Sequence, residues 1–111
     1  MKKVALPVNG NTLSPHFGQS ECFRIFEIRN RKVAHIEDLK APGLERGGLP
    51  YWLTDLNITD VITCGIGYKA IELFNQNKIN VFVGVETKDA IEVVNDFLNG
   101  TMVTNGNQYT R

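Results

Sequence analysis

The chain has 111 residues, with 12 basic and 12 acidic side chains, and therefore no formal net charge at pH 7. Its 42% apolar and 22% charged residues predict one compact soluble domain rather than a disordered segment. The charge balance argues against a nucleic-acid partner, and no apolar run approaches the roughly 20 residues that cross a bilayer. Two cysteines make no disulfide framework, which predicts reduced thiols and a cytoplasmic location.

The first part of the chain predicts three strands. Residues 3–8 are an apolar run that ends in an Asn-Gly turn signal, as a buried strand does. Residues 9–19 contain turn-forming side chains and predict a loop. Residues 21–28 are rich in β-forming side chains and residues 32–39 alternate in polarity, so together they predict an antiparallel hairpin.

Residues 40–48 contain three glycines and a proline and predict a mobile loop. Beyond this loop, helices and strands alternate, and each helix has one apolar face at 3.6-residue spacing. The predicted elements are, in order, a helix from Gly48 to Asn57, a strand at 60–64, a helix from the Gly65-Ile66-Gly67 turn to Asn75 or Asn77, a strand at 81–85, and a helix that Thr87 caps and Gly100 ends.

The resulting order is β-β-β-α-β-α-β-α. Its first part is a meander of antiparallel strands, and its second part has crossovers long enough to join parallel strands. This order predicts an α/β fold in which helices cover a five-stranded mixed sheet. We predict one domain at residues 1–100 and a polar, frayed tail at residues 101–111.

One of the two histidines, His16, lies in the predicted loop at 9–19. Pro15 restricts the backbone before it, Phe17 can anchor the loop in the core, and Gly18 permits a tight exit. An imidazole presented in this way can bind a metal or transfer a proton. A surface histidine without a role accounts for the residue equally well.

Cys64 is predicted at the end of a buried strand, directly before the turn formed by Gly65 and Gly67. In open α/β sheets, ligands bind beyond the carboxyl ends of strands, where backbone N–H groups at a helix start favour anions. A small buried core residue is the simpler interpretation of Cys64. We therefore expect the turn to matter more than the sulfur atom.

Other kinds of site fit the sequence less well. Cys22 and His35 lie within predicted strands, and the two cysteines and two histidines include no short chelating pair of the kind that zinc sites use. The Gly-x-Gly turn lacks the remaining features of a dinucleotide site. No nucleophile elbow, carboxylate pair or Cys-His protease motif is present, so we predict that the protein is not an enzyme.

Two stretches resemble one known family. Residues 14–28, SPHFGQSECFRIFEI, resemble the S-x-H-F-G-x-x-x-x-F-x-I signature of the dinitrogenase iron–molybdenum cofactor biosynthesis family, the NifX/NifB-type domain that has the orange protein among its relatives. Residues 49–84 resemble its second signature, a helix followed by a strand, a Gly-x-Gly turn, a helix and a strand. The resemblance covers residues 3–100.

The resemblance implies a ribonuclease-H-like fold and an accessory protein that binds or carries an iron–molybdenum-type or iron–sulfur cluster without catalysis. It also implies proteins that donate or accept this cluster as partners. The histidine of the family falls on His16. Many relatives have a histidine or cysteine in the loop that corresponds to residues 40–48, where this chain has neither, and Lys78 stands where a helix-ending glycine is usual.

The motifs and the resemblance together define the candidate site. The candidate metal ligands are His16 and Cys64. The candidate cofactor-binding residues are Ser14, Phe17, Gly18, Gly65 and Gly67. The alternative interpretation is a protein-interaction module that has the same fold and binds no metal.

Overall fold

The computed structural model of the protein describes residues 1–43, 48–105, 109 and 110. Its helices and strands are, in chain order, β1 (Lys2–Asn9), β2 (Thr12–Leu13), β3 (Cys22–Arg29), β4 (Lys32–Leu39), α1 (Gly48–Asp55), β5 (Asp60–Ile62), β6 (Ile66–Gly67), α2 (Tyr68–Gln76), β7 (Asn80–Phe82), α3 (Ala90–Asn99) and β8 (Tyr109–Thr110). A short 3-10 helix, Phe17–Gln19, lies between β2 and β3.

The main sheet has the order β4-β3-β1-β5-β7, and β2 pairs with the end of β1. Strands β4, β3 and β1 are antiparallel neighbours, whereas β1, β5 and β7 are parallel. The predicted α/β class, the mixed sheet and the three helices are confirmed. Because β1, β5 and β7 run in one direction, the segments that follow them leave from the same edge, which we call the carboxyl edge.

The predicted count of five strands is wrong, because the structure adds three strands of two residues each. Strand β2 lies in the predicted loop at 9–19, β6 lies in the predicted Gly65-Ile66-Gly67 turn, and β8 lies in the tail that was expected to fray. Two residues are too few to show a hydrophobic period, so no sequence pattern indicates such strands.

Strands β5 and β7 end two and three residues earlier than predicted, because the chain leaves the sheet there. The Thr63 N–H still donates a hydrogen bond to the Phe82 carbonyl oxygen at 2.9 Å. Gly84 then has a φ of +77°, which lies outside the β region. Cys64 therefore lies in the turn beyond β5 rather than in the strand.

The predicted C-terminal ends of the helices agree with the structure, whereas one predicted N-cap differs. Gly100, the predicted end of α3, is its C-cap and has a φ of +72°. Asn57 has the expected left-handed conformation, with a φ of +62°, and Asn77 is the C-cap of α2. The predicted N-cap of α3, Thr87, is wrong. Asp89 caps this helix because its carboxylate accepts a hydrogen bond from the Ile91 N–H at 2.9 Å.

Alternating side chains of β1 and β3 point to opposite faces of the sheet and form two apolar layers. On one face, α3 packs against Val4, Leu6, Val8, Phe26, Ile28 and Ile62. On the other face, α1 and α2 pack against Ala5, Phe23, Ile25 and Val61. In the described part of the chain, no helix has both the length and the apolar character that a membrane crossing requires.

Arg24 and Asp38 tie β3 to β4 near the carboxyl edge. The guanidinium donates two hydrogen bonds to the carboxylate, from Nε to Oδ1 at 2.7 Å and from Nη2 to Oδ2 at 2.9 Å. It also donates to the Asn11 side-chain oxygen and the Gly10 carbonyl oxygen, both at 3.2 Å. The hydrogen bonds from Arg24 hold the pKa of Asp38 below its ordinary value; the positive charge acts in the same direction, and partial burial opposes it.

The substitution Asp38→Asn is expected to lower the free energy of unfolding at neutral pH by about 0.2–1 kcal/mol, because the Asp38 side chain is 47% exposed and solvent screens the pair. A carboxyl with a lowered pKa in the folded state stabilises the fold above its unfolded pKa of about 4, and this contribution disappears as the pH falls through the folded-state pKa. The difference in urea denaturation between the two proteins should therefore shrink below about pH 4. A difference that stays constant over this range would contradict the assignment. Glu37→Gln, which removes an exposed carboxylate from the same strand, is the matched control.

Candidate functional site

The loop between β2 and β3 holds His16 at the carboxyl edge. Ser14 is buried, and its Oγ accepts a hydrogen bond from the His16 N–H at 3.2 Å and donates one to the His16 carbonyl oxygen at 3.0 Å. The side chain of His16 is exposed. The backbone of His16 is thus fixed from one side, while its imidazole is accessible to a ligand.

Phe17 anchors the same loop in the core. Its ring is 5% exposed and makes edge-to-face contacts with Phe23 and Phe74, at centroid distances of 5.3 and 5.6 Å. Such aromatic pairs add stabilisation beyond the burial of apolar area. The anchor that the sequence predicts is therefore present, and it fixes the position of the neighbouring His16.

The His16 loop pairs directly with the turn after β5. The Phe17 N–H donates a hydrogen bond to the Gly65 carbonyl oxygen at 2.8 Å, and the Gly65 N–H donates one to the Pro15 carbonyl oxygen at 2.9 Å. His16 and Gly65 thus form an isolated parallel bridge. The two sequence motifs, separated by almost fifty residues, are joined by backbone hydrogen bonds at one edge of the sheet.

The turn itself leads into α2. Cys64 is half-buried and packs against the apolar layer below α3. Thr63 is buried, and its hydroxyl donates a hydrogen bond to the Gly65 carbonyl oxygen at 3.3 Å. Gly67 is the N-cap of α2 and provides no side-chain cap. The first turn of α2 contains Lys69 and no acidic residue, so the start of the helix favours an anion.

The predicted site residues differ in what they contribute. His16 is exposed and Cys64 is half-buried, whereas Ser14 and Phe17 are buried below the loop and position His16 from there. A Cβ at Gly18 would meet no atom within 4 Å, so the expected tight exit from the loop does not require a glycine. Among the described residues, no three His, Cys, Asp or Glu side chains lie together as a preformed metal cage.

Two surface cavities are present among the described residues. One, of about 430 Å³, is lined by residues that include Arg24, Ile36 and Ile91, and the other, of about 350 Å³, by residues that include Lys2 and Phe97. His16 lines neither cavity. The exposed His16 side chain therefore belongs to neither of these two cavities.

Gly84 is a residue of this edge that sequence reasoning missed. Its N–H donates a hydrogen bond to the Cys64 carbonyl oxygen at 2.8 Å, and its φ of +77° is a backbone angle that residues other than glycine rarely adopt. The only signal in the sequence was a glycine within the predicted strand at 81–85, which indicates a bend or the close approach of another backbone.

The fold and the site define an α/β protein that presents a histidine loop and a helix start at the carboxyl edge of a mixed, open sheet. The model of one family, described as dinitrogenase iron-molybdenum cofactor, matches residues 1–100. The chain belongs to this family, as the two sequence signatures indicated.

Individual proteins are also similar to this chain. The chain is 33% identical to the protein MJ0580 of Methanocaldococcus jannaschii over 107 residues, which cover 92% of this chain and 90% of the relative. The crystal structure of PH0822 has a TM-score of 0.87 and 32% identity, and the match covers 96% of each chain. The apo form of the orange protein from Desulfovibrio gigas has the same fold, with a TM-score of 0.75, 20% identity and coverage of 96% of this chain and 94% of its own.

Proposed function

We propose that the protein binds and carries an iron–molybdenum-type or iron–sulfur cluster as a non-catalytic accessory protein, with residues 1–100 as the cluster-binding domain. The observation that supports this proposal most directly is the bridge between His16 and Gly65, which joins the backbone of the exposed His16 to the turn that leads into α2. Membership of the iron–molybdenum cofactor family identifies the class of cargo.

The chemistry of the candidate site suits an anionic metal–sulfur cluster. The imidazole of His16 is a metal ligand, and the first N–H groups of α2 have no acceptor within the helix, so they favour the sulfur atoms of a cluster that carries negative charge. Cys64 adds a second candidate ligand that is half-buried beside the same turn. Ser14, Phe17, Gly18, Gly65 and Gly67 hold these groups in position.

Weak and reversible binding is what a carrier needs. A site with one exposed imidazole and backbone donors holds a cluster far less firmly than a cage of four thiolates does. An exposed imidazole also lets a donor or acceptor protein reach the cluster directly. We therefore propose cluster-donating and cluster-accepting proteins as the partners.

Two broader features agree with this proposal. Both cysteines are free thiols, as expected of a protein that works in the reducing cytoplasm. The sheet order, with three antiparallel strands followed by two parallel ones, supports the ribonuclease-H-like fold that the family resemblance implies.

A protein-interaction module that binds no metal is the second candidate function. Ile36 and Ile91, which line the larger cavity, are 45% and 44% exposed, so apolar surface is available for a protein partner away from His16. This function would leave the protein colourless, and binding of its partner would be insensitive to chelators.

The experiment that tests the proposal is anaerobic loading of the purified protein. The full chain is incubated with ferrous iron and sulfide, or with tetrathiomolybdate, and is then desalted. We expect visible charge-transfer absorption and retention of iron or molybdenum close to one cluster per chain. A colourless protein without iron or molybdenum would contradict cluster carriage and favour the interaction module.

A further inference from the structure

The segment that follows α3 returns to the candidate site. Met102 is partly buried and packs against the apolar layer below α3, as Cys64 does. The Asn105 N–H donates a hydrogen bond to the Val83 carbonyl oxygen at 3.0 Å. Farther along, β8 pairs in parallel with β6, directly after Gly65. We call residues 101–105 together with β8 the strap.

Gly84 is the position on which the strap lies. A Cβ built at Gly84 would be 2.5 Å from both the carbonyl carbon and the amide nitrogen of Asn105, and the carbonyl oxygen of Asn105 would be nearer still. No side chain fits at such a distance. The glycine therefore allows the backbone of the strap to lie directly against the chain at the end of β7.

This contact brings the strap to the turn that the His16 loop also holds. The N–H of Gly84 is bonded to the Cys64 carbonyl oxygen, and β8 pairs with the two residues that follow Gly65. Gly65 itself uses both its N–H and its carbonyl oxygen for hydrogen bonds to the His16 loop. The segment from Cys64 to Gly67 is thus held by the His16 loop and by the strap.

We infer that the strap is a closing element of the candidate site: docked on Gly84 and β6 it covers the turn at Cys64–Gly67, and released it opens this turn to the cargo. The inference rests on the proposed function and adds its regulation. Segments attached by short backbone pairing open far more easily than core strands do, and Val103 within the strap is 79% exposed. Loading would then require the strap to open.

The substitution Gly84→Ala in the full chain tests this role, because its Cβ has no room while the strap is docked. Gly10→Ala is the matched control: Gly10 has a similar left-handed conformation, with a φ of +60°, but no atom lies within 4 Å of its Cβ position. Both substitutions introduce backbone strain, so a difference between their effects on the accessibility of Cys64 reports on the strap.

The measurement is the rate of Cys64 alkylation by iodoacetamide, resolved by mass spectrometry, with Cys22 in the same chain as the reference thiol. We expect Gly84→Ala to raise the Cys64 rate about fivefold or more, Gly10→Ala to leave it unchanged, and Cys22 to react equally in all proteins. Equal Cys64 rates in the two glycine variants would overturn the inference.

Asn105→Pro approaches the same question from the strap. Proline removes the N–H that donates a hydrogen bond to the Val83 carbonyl oxygen and leaves the amino-acid sequence at residues 83–85 unchanged. We expect it to raise the Cys64 rate as Gly84→Ala does. An effect of Gly84→Ala without any effect of Asn105→Pro would show that the change is local to residue 84 and would overturn the closing role.

The uptake of iron and sulfide by the same proteins separates this inference from the proposed function. Faster Cys64 alkylation together with faster cluster uptake in Gly84→Ala supports both. Faster Cys64 alkylation in Gly84→Ala, when none of the proteins retains a cluster, supports the closing role of the strap and contradicts cluster carriage. Cluster uptake by every protein, with equal alkylation rates, supports carriage and contradicts the strap.

Discussion

His16→Ala is expected to lower cluster retention about tenfold or more, because it removes the one exposed imidazole at the carboxyl edge. The free energy of unfolding should change by no more than about 0.5 kcal/mol, since the exposed side chain contributes little packing. The hydrogen bonds to Ser14 use the backbone of His16, and those to Gly65 use the backbone of Pro15 and Phe17, so the substitution keeps them all. Anaerobic loading followed by desalting and elemental analysis measures the retention.

The other histidine of the chain provides the matched control. His35 is exposed on β4, an edge strand, and lies opposite Glu27 of β3. His35→Ala should therefore retain the cluster as the wild-type protein does. Equal retention by all three proteins would remove His16 from the role of ligand, and an equal loss in both variants would contradict a specific role of His16.

Phe17→Ala is expected to have the largest effect on stability, lowering the free energy of unfolding by about 3–5 kcal/mol. The buried ring packs against Phe23 and Phe74, and its removal leaves a cavity between the sheet and α2. The ring is also the core anchor of the loop that presents His16, so its removal loosens this loop even though the backbone N–H that donates to Gly65 remains. Urea denaturation measures the first effect and cluster retention the second.

Phe26→Ala separates the two effects of Phe17. Phe26 is fully buried on the α3 face of the sheet and should lower stability by a similar amount without contacting the His16 loop. Phe17→Leu keeps most of the apolar volume and should cost about 1.5 kcal/mol or less. We expect cluster retention to fall in the two Phe17 variants and to persist in folded Phe26→Ala. Loss of retention in Phe26→Ala alone would contradict the positioning role of Phe17.

The periodic parts of the fold could be predicted from the sequence. The apolar faces of the helices follow the 3.6-residue spacing. The structure buries Leu53, Phe74 and Val93, one from the apolar face of each helix. Asn57 could be identified as a helix terminator because few residues adopt the left-handed conformation at low energy. These features depend on local chemistry, which a single sequence contains.

The long-range backbone contacts could not be predicted. The pairing of His16 with Gly65 and of β8 with β6 involves backbone groups, and backbone groups are the same whatever the side chains are. The polar composition of residues 101–111 predicts fraying, but Asn105 is held by its own N–H and by the space that Gly84 leaves. The contact of Asn105 therefore depends on the absence of a side chain at Gly84, a residue distant in the sequence.

The site could be predicted in its components but not in its arrangement. The sequence indicates His16 and the Gly65–Gly67 turn as separate motifs, and only the fold joins them. It does not distinguish Ser14 as a ligand from Ser14 as a support, because both roles require a hydroxyl near the histidine. Burial and the two hydrogen bonds to His16 identify the supporting role.

Binding of the cluster by His16 can be observed by NMR of protein labelled with 15N-histidine, because the chain contains two histidines. Spectra of the imidazole nitrogens are recorded anaerobically before and after loading, and the resonances are assigned with His16→Ala and His35→Ala. If His16 binds the cluster, the resonances of its imidazole nitrogens shift or broaden on loading, while those of His35 do not change. A loaded, coloured protein in which the His16 nitrogens are unchanged would contradict binding of the cluster by His16.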